Sequence, residues 1–209
     1  MAFTHQIAIG ASQDRLEKLI SQRVRSRPEA QAEIDRRIWD LFGEQWAIMF
    51  TDLSGFSRGV EQFGIIHFLQ TIFESVRILI PCIEDNDGIL LKTEGDSMLV
   101  IFRNVQKAIN CSIQMQRAVL LYDADKGDTE KILLGIGLGY GRVLRIGDAD
   151  VFGEEVNSAS KLGEDCAKPW EILVTESVRE SGSSVPGVSF EPVSHGDRSS
   201  RYKLAYALK

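Results

Sequence analysis

Ala47-Ile-Met-Phe-Thr-Asp52-Leu-Ser-Gly-Phe-Ser-Arg58 is the stretch on which the reading of this chain turns. It begins with an unbroken apolar run of the kind a buried central strand shows. The run stops on a carboxylate, Asp52, and passes through Ser54 and Gly55 into a helical pattern. A strand that ends on an acid and feeds a glycine-containing turn presents a metal ligand beside a phosphate-sized gap. The N–H groups of the turn and the positive end of the following helix both favour an anion there. Asp-x-Ser-Gly also reads as an ordinary capped turn, so a function needs partners elsewhere in the chain.

The 209 residues suffice for one sizeable domain with an appended segment. With 44% hydrophobic and 26% charged residues, the composition is that of a soluble globular protein. A net charge of −6 argues against a nucleic-acid-binding surface or a basic membrane anchor. An acidic chain still binds a nucleotide where cations neutralise the phosphates. No apolar run approaches the length of a membrane span, and the N-terminus lacks the regions of a signal peptide, so no membrane insertion and a cytoplasmic location are expected. Cys82, Cys111 and Cys166 form neither a disulfide framework nor a zinc spacing, and read as buried free thiols.

Residues 1–12 carry no periodicity and are expected to be loose. Leu16, Leu19, Ile20 and Val24 then fall at helical spacing, and Ser26-Arg27-Pro28 breaks the pattern. Pro28 opens a second helix, whose stripe of Ala30, Ile34, Ile38 and Leu41 stops near Gly43. Residues 1–44 are thus expected to be a helical arm, and residues 45–209 a compact domain. The arm is locally basic through Arg23, Arg25, Arg27, Arg36 and Arg37. That suits a solvated face or an acidic partner; too short for a sensor domain, the arm is expected to orient a dimer or meet a regulatory protein.

In the domain, a strand is expected over 46–51 and a helix over 57–83 with a weak point at Gly64. Its core face is Phe68, Ile72, Val76, Leu79 and Ile83. Segments 89–93 and 97–102 read as a hairpin about Glu94-Gly95. Asn104 caps a helix that buries Ala108, Ile109, Cys111, Ile113, Met115, Ala118 and Leu121. A strand over 132–138 carries alternating glycines suited to close approach of a backbone or ligand, and 143–146 pairs next to it. A turn at 147–150, a helix over 154–166, a strand over 171–174, a cap at Thr175 and two alternating segments, 188–192 and 201–208, complete the chain. The order predicts an α+β fold: a ferredoxin-like βαββαβ core with a C-terminal strand extension, its antiparallel sheet covered by helices on one face.

In such a sheet the end of the first strand lies beside the tip of the neighbouring hairpin, where Asp96 falls. Asp52 and Asp96 are therefore placed to share one or two hard cations, which take oxygen ligands and hold nucleotide phosphates. Asn157 and Lys161, four apart on a helix, project from one face. An amide and a fixed cation there suit a sugar and a developing phosphate charge; a solvent-facing pair is the plainer alternative.

Phe50-Thr-Asp-Leu-Ser-Gly-Phe-Ser57, Lys92-Thr-Glu-Gly-Asp96, Gly135-Ile-Gly-Leu-Gly-Tyr-Gly141 and Asp150-Val-Phe-Gly-Glu-Glu-Val-Asn-Ser-Ala-Ser-Lys161 together resemble the class III adenylate/guanylate cyclase catalytic domain. The resemblance spans about residues 45–208, in order and spacing. It implies that Asp52 and Asp96 are metal aspartates for two divalent cations, Mg²⁺ or Mn²⁺, with the Leu53 carbonyl as a further ligand. The amides of Leu53, Ser54, Gly55 and Phe56 would hold the triphosphate. Lys92 and Asp150 would read the base, Asn157 would orient the ribose, and Lys161 stands where the family usually has a transition-state arginine. The family works as a dimer with shared active sites, so a homodimer would carry two.

Donor and acceptor chemistry selects the base. Adenine offers a donor at its exocyclic amine and an acceptor at N1, matching Asp150 and Lys92. Guanine reverses the pattern, a mismatch of roughly 1–3 kcal/mol per unmade buried bond. ATP is therefore the expected substrate, cyclised by attack of the ribose 3′-oxygen on the α-phosphorus with pyrophosphate leaving. Two departures point the other way. Lys161 lacks the bidentate fork of arginine, a loss of up to about 10²–10³ in rate if its reach is poor. The segment Val193–Arg198 lacks the lysine the family often uses on the terminal phosphates, leaving His195 or Arg198 as substitutes or as surface loop. The competing expectation is a weak or inactive cyclase-like module that binds nucleotide or dimerises. The Gly-Gly-acid-acid-Phe hairpin of diguanylate cyclases is absent, since this hairpin reads Thr-Glu-Gly-Asp.

Overall fold

The opening stretch forms the centre of the sheet. In the computed structural model, which describes residues 2–53, 64–127, 131–193 and 201–207, β1 spans Gly43–Leu53. It is longer at both ends than its apolar run, and Asp52 is its penultimate residue. β1 pairs antiparallel with β3 (Ser97–Phe102) on one side and with β4 (Leu134–Ile146) on the other. β2 (Ile89–Glu94) continues the hairpin, and the order across the sheet is β2-β3-β1-β4-β6-β8-β7. The first four of these strands have the expected ferredoxin-like arrangement. β6 (Ile172–Thr175), β7 (Val188–Val193) and β8 (Arg201–Tyr206) extend it, and short β5 (Asp150–Phe152) pairs with the end of β4.

Strand periodicity splits β1 between two cores. Ala47, Met49 and Leu53 join Val100, Ile136 and Leu138 beneath α3 (Ile65–Asp85) and α4 (Val105–Asp123). Trp46 and Ile48 join Leu99, Ile101 and Val143 beneath α5 (Glu154–Ser160). Helices therefore cover both faces, not one. The reason is β4: its glycines let α5 and the following π-helix (Lys161–Cys166) lie directly on the strand. A Cβ on Gly137 would sit 2.2 Å from the Ala159 carbonyl oxygen and 2.3 Å from the Gly163 nitrogen.

The same glycines explain a second difference. The expected strands 132–138 and 143–146 are one continuous strand, because Gly139 and Gly141 stay extended and β4 pairs with β1 from Gly43↔Leu144 to Leu53↔Leu134. The expected helix 154–166 changes from α to π at Lys161, and Ala167 N–H donates to the Leu162 carbonyl at 2.8 Å. Leu121, expected inside, is 78% exposed because α4 turns that side to solvent near its end. Of the cysteines, Cys82 and Cys111 are buried free thiols, whereas Cys166 is only partly covered.

The arm is helical from its start: α1 covers Ala2–Arg25, including residues expected to be loose. Ala2, Gln6, Ala8 and Ala11 favour a helix, and extending one already nucleated costs little. α2 (Pro28–Phe42) begins on Pro28 as expected. Leu19, Ile34, Ile38 and Phe42 close over Ile146 of β4, and Arg23 holds Asp35 through two bonds of 2.5 and 3.1 Å. Contrary to the expectation that no apolar run approaches a membrane span, α3 is long and apolar enough to cross a membrane by length and composition. It packs Phe68, Leu79, Cys82 and Ile83 into the domain core, as expected of a domain helix, although residues 57–63 lie outside the described residues.

Candidate active site

The β2–β3 hairpin turns on Gly95, whose φ of +60° suits glycine in a two-residue turn. The turn places Asp96 immediately before β3, and β3 pairs Met98 with Thr51, so Ser97 comes alongside Asp52. The Ser97 hydroxyl hydrogen-bonds the Asp52 carboxylate. Burial, followed by the charges of Asp96 and Glu164, pushes the Asp52 carboxyl up to about 6 despite that bond; Asp165 adds to the rise. Asp96 is also raised, first by burial and then by Glu164. Asp52 and Asp96 were expected from the sequence, whereas Ser97, Glu164 and Asp165 carry no signal in it. The last two arrive on the π-helix, which crosses the sheet so closely that a Cβ on Gly163 would meet the Phe50 carbonyl at 2.7 Å.

Two partly buried carboxylates that repel one another are suited to a hard cation. Among the described residues, no three His, Cys, Asp or Glu side chains are arranged to hold an ion by themselves. Asp52 and Asp96 therefore fit a cation that completes its shell from backbone, water and phosphate oxygens, the habit of Mg²⁺ in nucleotide sites. Leu53 is buried at the end of β1; Ser54, Gly55 and Phe56, expected to hold the triphosphate, lie outside the described residues, as do His195 and Arg198.

The expected base-reading pair is assembled. Lys92 on β2 donates from Nζ to Asp150 Oδ2 at 3.1 Å, across 58 positions of sequence. Both side chains are about one-third exposed, so the pair is open to a ligand. Asp150, helped by Glu94 at 3.2 Å, holds the Lys92 ammonium above its ordinary value. The other Asp150 oxygen accepts from the Val151 N–H at 2.9 Å, which fixes the carboxylate plane.

Asn157 and Lys161 stand on the outer side of α5, both exposed, while Val156, Ala159 and Leu162 face the sheet. Lys161 N–H donates back to the Asn157 carbonyl, so the two keep helical spacing up to the point where the π-helix begins. Ser160 caps the Glu164 carboxylate from the same turn.

A profile of the adenylate and guanylate cyclase catalytic domain matches residues 43–201. The chain belongs to that family. A putative adenylate cyclase 3 of Rhizobium meliloti (strain 1021) is 27% identical over 134 residues, which is 64% of this chain and 22% of that protein. The chain spans less than a quarter of the curated relatives it matches. An adenylate/guanylate cyclase/hydrolase structure from Silicibacter pomeroyi superposes with a TM-score of 0.64 at 26% identity, covering 78% of this chain and 95% of that one. The guanylyl cyclase Cya2 superposes with a TM-score of 0.67 at 19% identity, covering 78% and 93%, and so shares the fold. The family works as dimers on nucleotides and typically uses divalent metals, and the structural neighbours of this domain include both adenylyl and guanylyl cyclases.

Proposed function

We propose that this cyclase domain converts ATP to 3′,5′-cyclic AMP and pyrophosphate, using two divalent cations, Mg²⁺ or Mn²⁺, at sites shared between two copies of the chain. The observation that carries the choice of base is the Lys92–Asp150 pair at 3.1 Å. Lysine donates to adenine N1 and aspartate accepts from the exocyclic amine, whereas guanine would face each group with its own kind. When bound, the cations lower the cost of forming the ribose alkoxide and neutralise the phosphates. Asp52 and Asp96 supply oxygen ligands, Leu53 a carbonyl, and the Leu53–Phe56 segment the N–H groups that cradle phosphate. Asn157 holds the ribose, and Lys161 meets the charge developing on the α-phosphate. The exposure of Asn157 and Lys161 supports their serving a site completed by another copy. An ATP-consuming domain with free thiols is read as cytoplasmic, and the arm as a dimer-orienting or regulatory contact.

The test is to incubate the purified chain with Mn²⁺ or Mg²⁺ and, separately, ATP, GTP, CTP and UTP. Cyclic AMP is the expected main product. A preference for GTP would overturn the base assignment, and no cyclic product from any nucleotide would overturn the catalytic reading. The substitution of lysine for the family's arginine at Lys161 favours one second reading, a nucleotide-binding module with little turnover. Thermal stabilisation by ATP with no pyrophosphate release would mark it.

A further inference from the structure

Glu155 takes no part in the proposed chemistry, yet its carboxylate accepts three hydrogen bonds. Its Oε2 accepts from the Tyr140 backbone N–H at 3.0 Å and from the Thr175 hydroxyl at 2.8 Å. Its Oε1 accepts from the Ser177 hydroxyl at 3.1 Å. These donors come from β4, from the end of β6 and from α6 (Glu176–Gly182). Thr175 stands at the N-cap of α6 but makes no side-chain cap bond, because its hydroxyl goes to Glu155 instead.

The sheet explains why a carboxylate is needed at that place. β4 pairs with β6 only over Ile136–Leu138, and with β5 only over Leu144–Ile146. Between these pairings one edge of β4 has lost its strand partner, and the Tyr140 amide falls in the gap. An unpaired buried amide is costly, and an acceptor-only carboxylate with several lone pairs can satisfy it and two hydroxyls together. Gly139 and Gly141 make room. A Cβ on Gly139 would lie 3.1 Å from Glu155 Oε2, and one on Gly141 only 2.7 Å from its Cγ. The glycines, the two hydroxyls and the amide form a receptacle for this one side chain.

Glu155 is two residues before Asn157, which turns the two side chains about 200° apart on an α-helix. One faces the gap in the sheet while the other faces out. We propose that Glu155 is a positioning residue: it plugs the gap in β4 and thereby fixes the rotation and depth of α5, so that Asn157 and Lys161 project where the nucleotide's ribose and α-phosphate are held. The role of those two residues rests on the function proposed above; the plug itself does not.

The experiment compares the wild-type chain with Glu155→Gln, Glu155→Asp and the exposed neighbour control Glu154→Gln, each checked for folding by circular dichroism. Glutamine turns an amide N–H₂ toward donors, so at least one bond is lost. Glu155→Gln is expected to lower kcat about tenfold or more while KM for ATP changes less than about threefold, because Asn157 and Lys161 act chiefly in the transition state. Glu155→Asp, which keeps the carboxylate, is expected to recover part of the loss. Amide exchange read by NMR should quicken at Tyr140 and across Asn157–Lys161 in Glu155→Gln, with β1 unchanged. A Glu155→Gln chain with wild-type kcat and wild-type exchange at Asn157–Lys161 overturns the proposal, as does an equal loss in Glu154→Gln. If the wild-type chain makes no cyclic nucleotide, the functional reading fails by itself. The exchange at Tyr140 and Asn157–Lys161 then decides the plug: quickened exchange supports it and unchanged exchange overturns it. A variant too unstable to purify is replaced by Gly141→Ala, whose Cβ displaces the Glu155 stem and is judged by the same readouts.

Discussion

Asp52 carries a pH signature that falls just below neutrality. Burial and the neighbouring acids lift its carboxyl to about 6 from an ordinary 3.8. Between those values the folded chain binds a proton that the unfolded chain does not. Stability of the metal-free protein therefore rises on acidification toward pH 4 and falls as pH rises through 6. Asp52→Asn removes the buried charge, so it should stabilise the metal-free chain at about pH 7.5. The gain should be roughly 1 kcal/mol, since the shift of about two units is screened at a half-buried position. Urea denaturation at pH 4.5 and 7.5 checks this: the wild type should lose more stability between the two than the variant, and equal losses would refute the assignment. A bound cation reverses the preference, because it needs the ionised form, so cation affinity should weaken below about pH 6. Asp52, Asp96, Lys92 and Asp150 were all legible in the sequence because each sits in a short local motif. Glu164 and Asp165 were not, because their approach to Asp52 depends on a π-helix that no periodicity announced. Glu155 was hidden by partners 15 to 22 positions away. The one available signal was its phase, since Glu155, Ala159 and Leu162 share the inward side of a helix.

At the scale of elements, the contact between β4 and α5 with its π-helix sets where the candidate residues Asn157 and Lys161 stand. It juxtaposes a glycine-lined strand and a helix backbone with almost no side chain between them. The alternating glycines were read correctly as a site of close approach, but their lack of side chains also hid the continuity of the strand. A hydrophobic pattern marks a strand by what it buries, and a glycine buries nothing of its own. Gly137→Ala tests how tightly the layers are set. Its Cβ would meet backbone atoms at 2.2 and 2.3 Å, which cannot rotate away as a side chain can. The variant should lose roughly 1–3 kcal/mol in urea denaturation, the usual cost of overpacking. Gly95→Ala is the comparison: with nothing within 4 Å, only its φ of +60° opposes a side chain. A loss of about 1 kcal/mol is expected there. A Gly137→Ala chain as stable as the wild type would mean that the helix layer shifts freely, and the rigid placement of Asn157 and Lys161 would fall with it.

For the whole molecule, the domain presents two kinds of surface. The Asp52 and Asp96 carboxylates lie at the end of β1 and the hairpin tip, half-covered, while Asn157 and Lys161 stand exposed on the outer side of α5. Both are exposed, and the proposed function has them complete a site on another copy. If so, defects in the two surfaces complement one another in mixed dimers. Asp52→Ala and Asn157→Ala should each abolish cyclic nucleotide formation alone. Mixed in equal amounts and allowed to exchange subunits, half of the dimers pair one variant with the other, and each such dimer holds one site with both defects and one with neither. Turnover should then recover to about a quarter of the wild-type rate, the statistical share of intact sites in a two-fold dimer. The assay needs only the two purified variants, subunit exchange confirmed by tagged pull-down, and a cyclic AMP measurement. No recovery after demonstrated exchange would place both residues in a site built from one chain, because a defect confined to one copy cannot be repaired by another that contributes nothing to it.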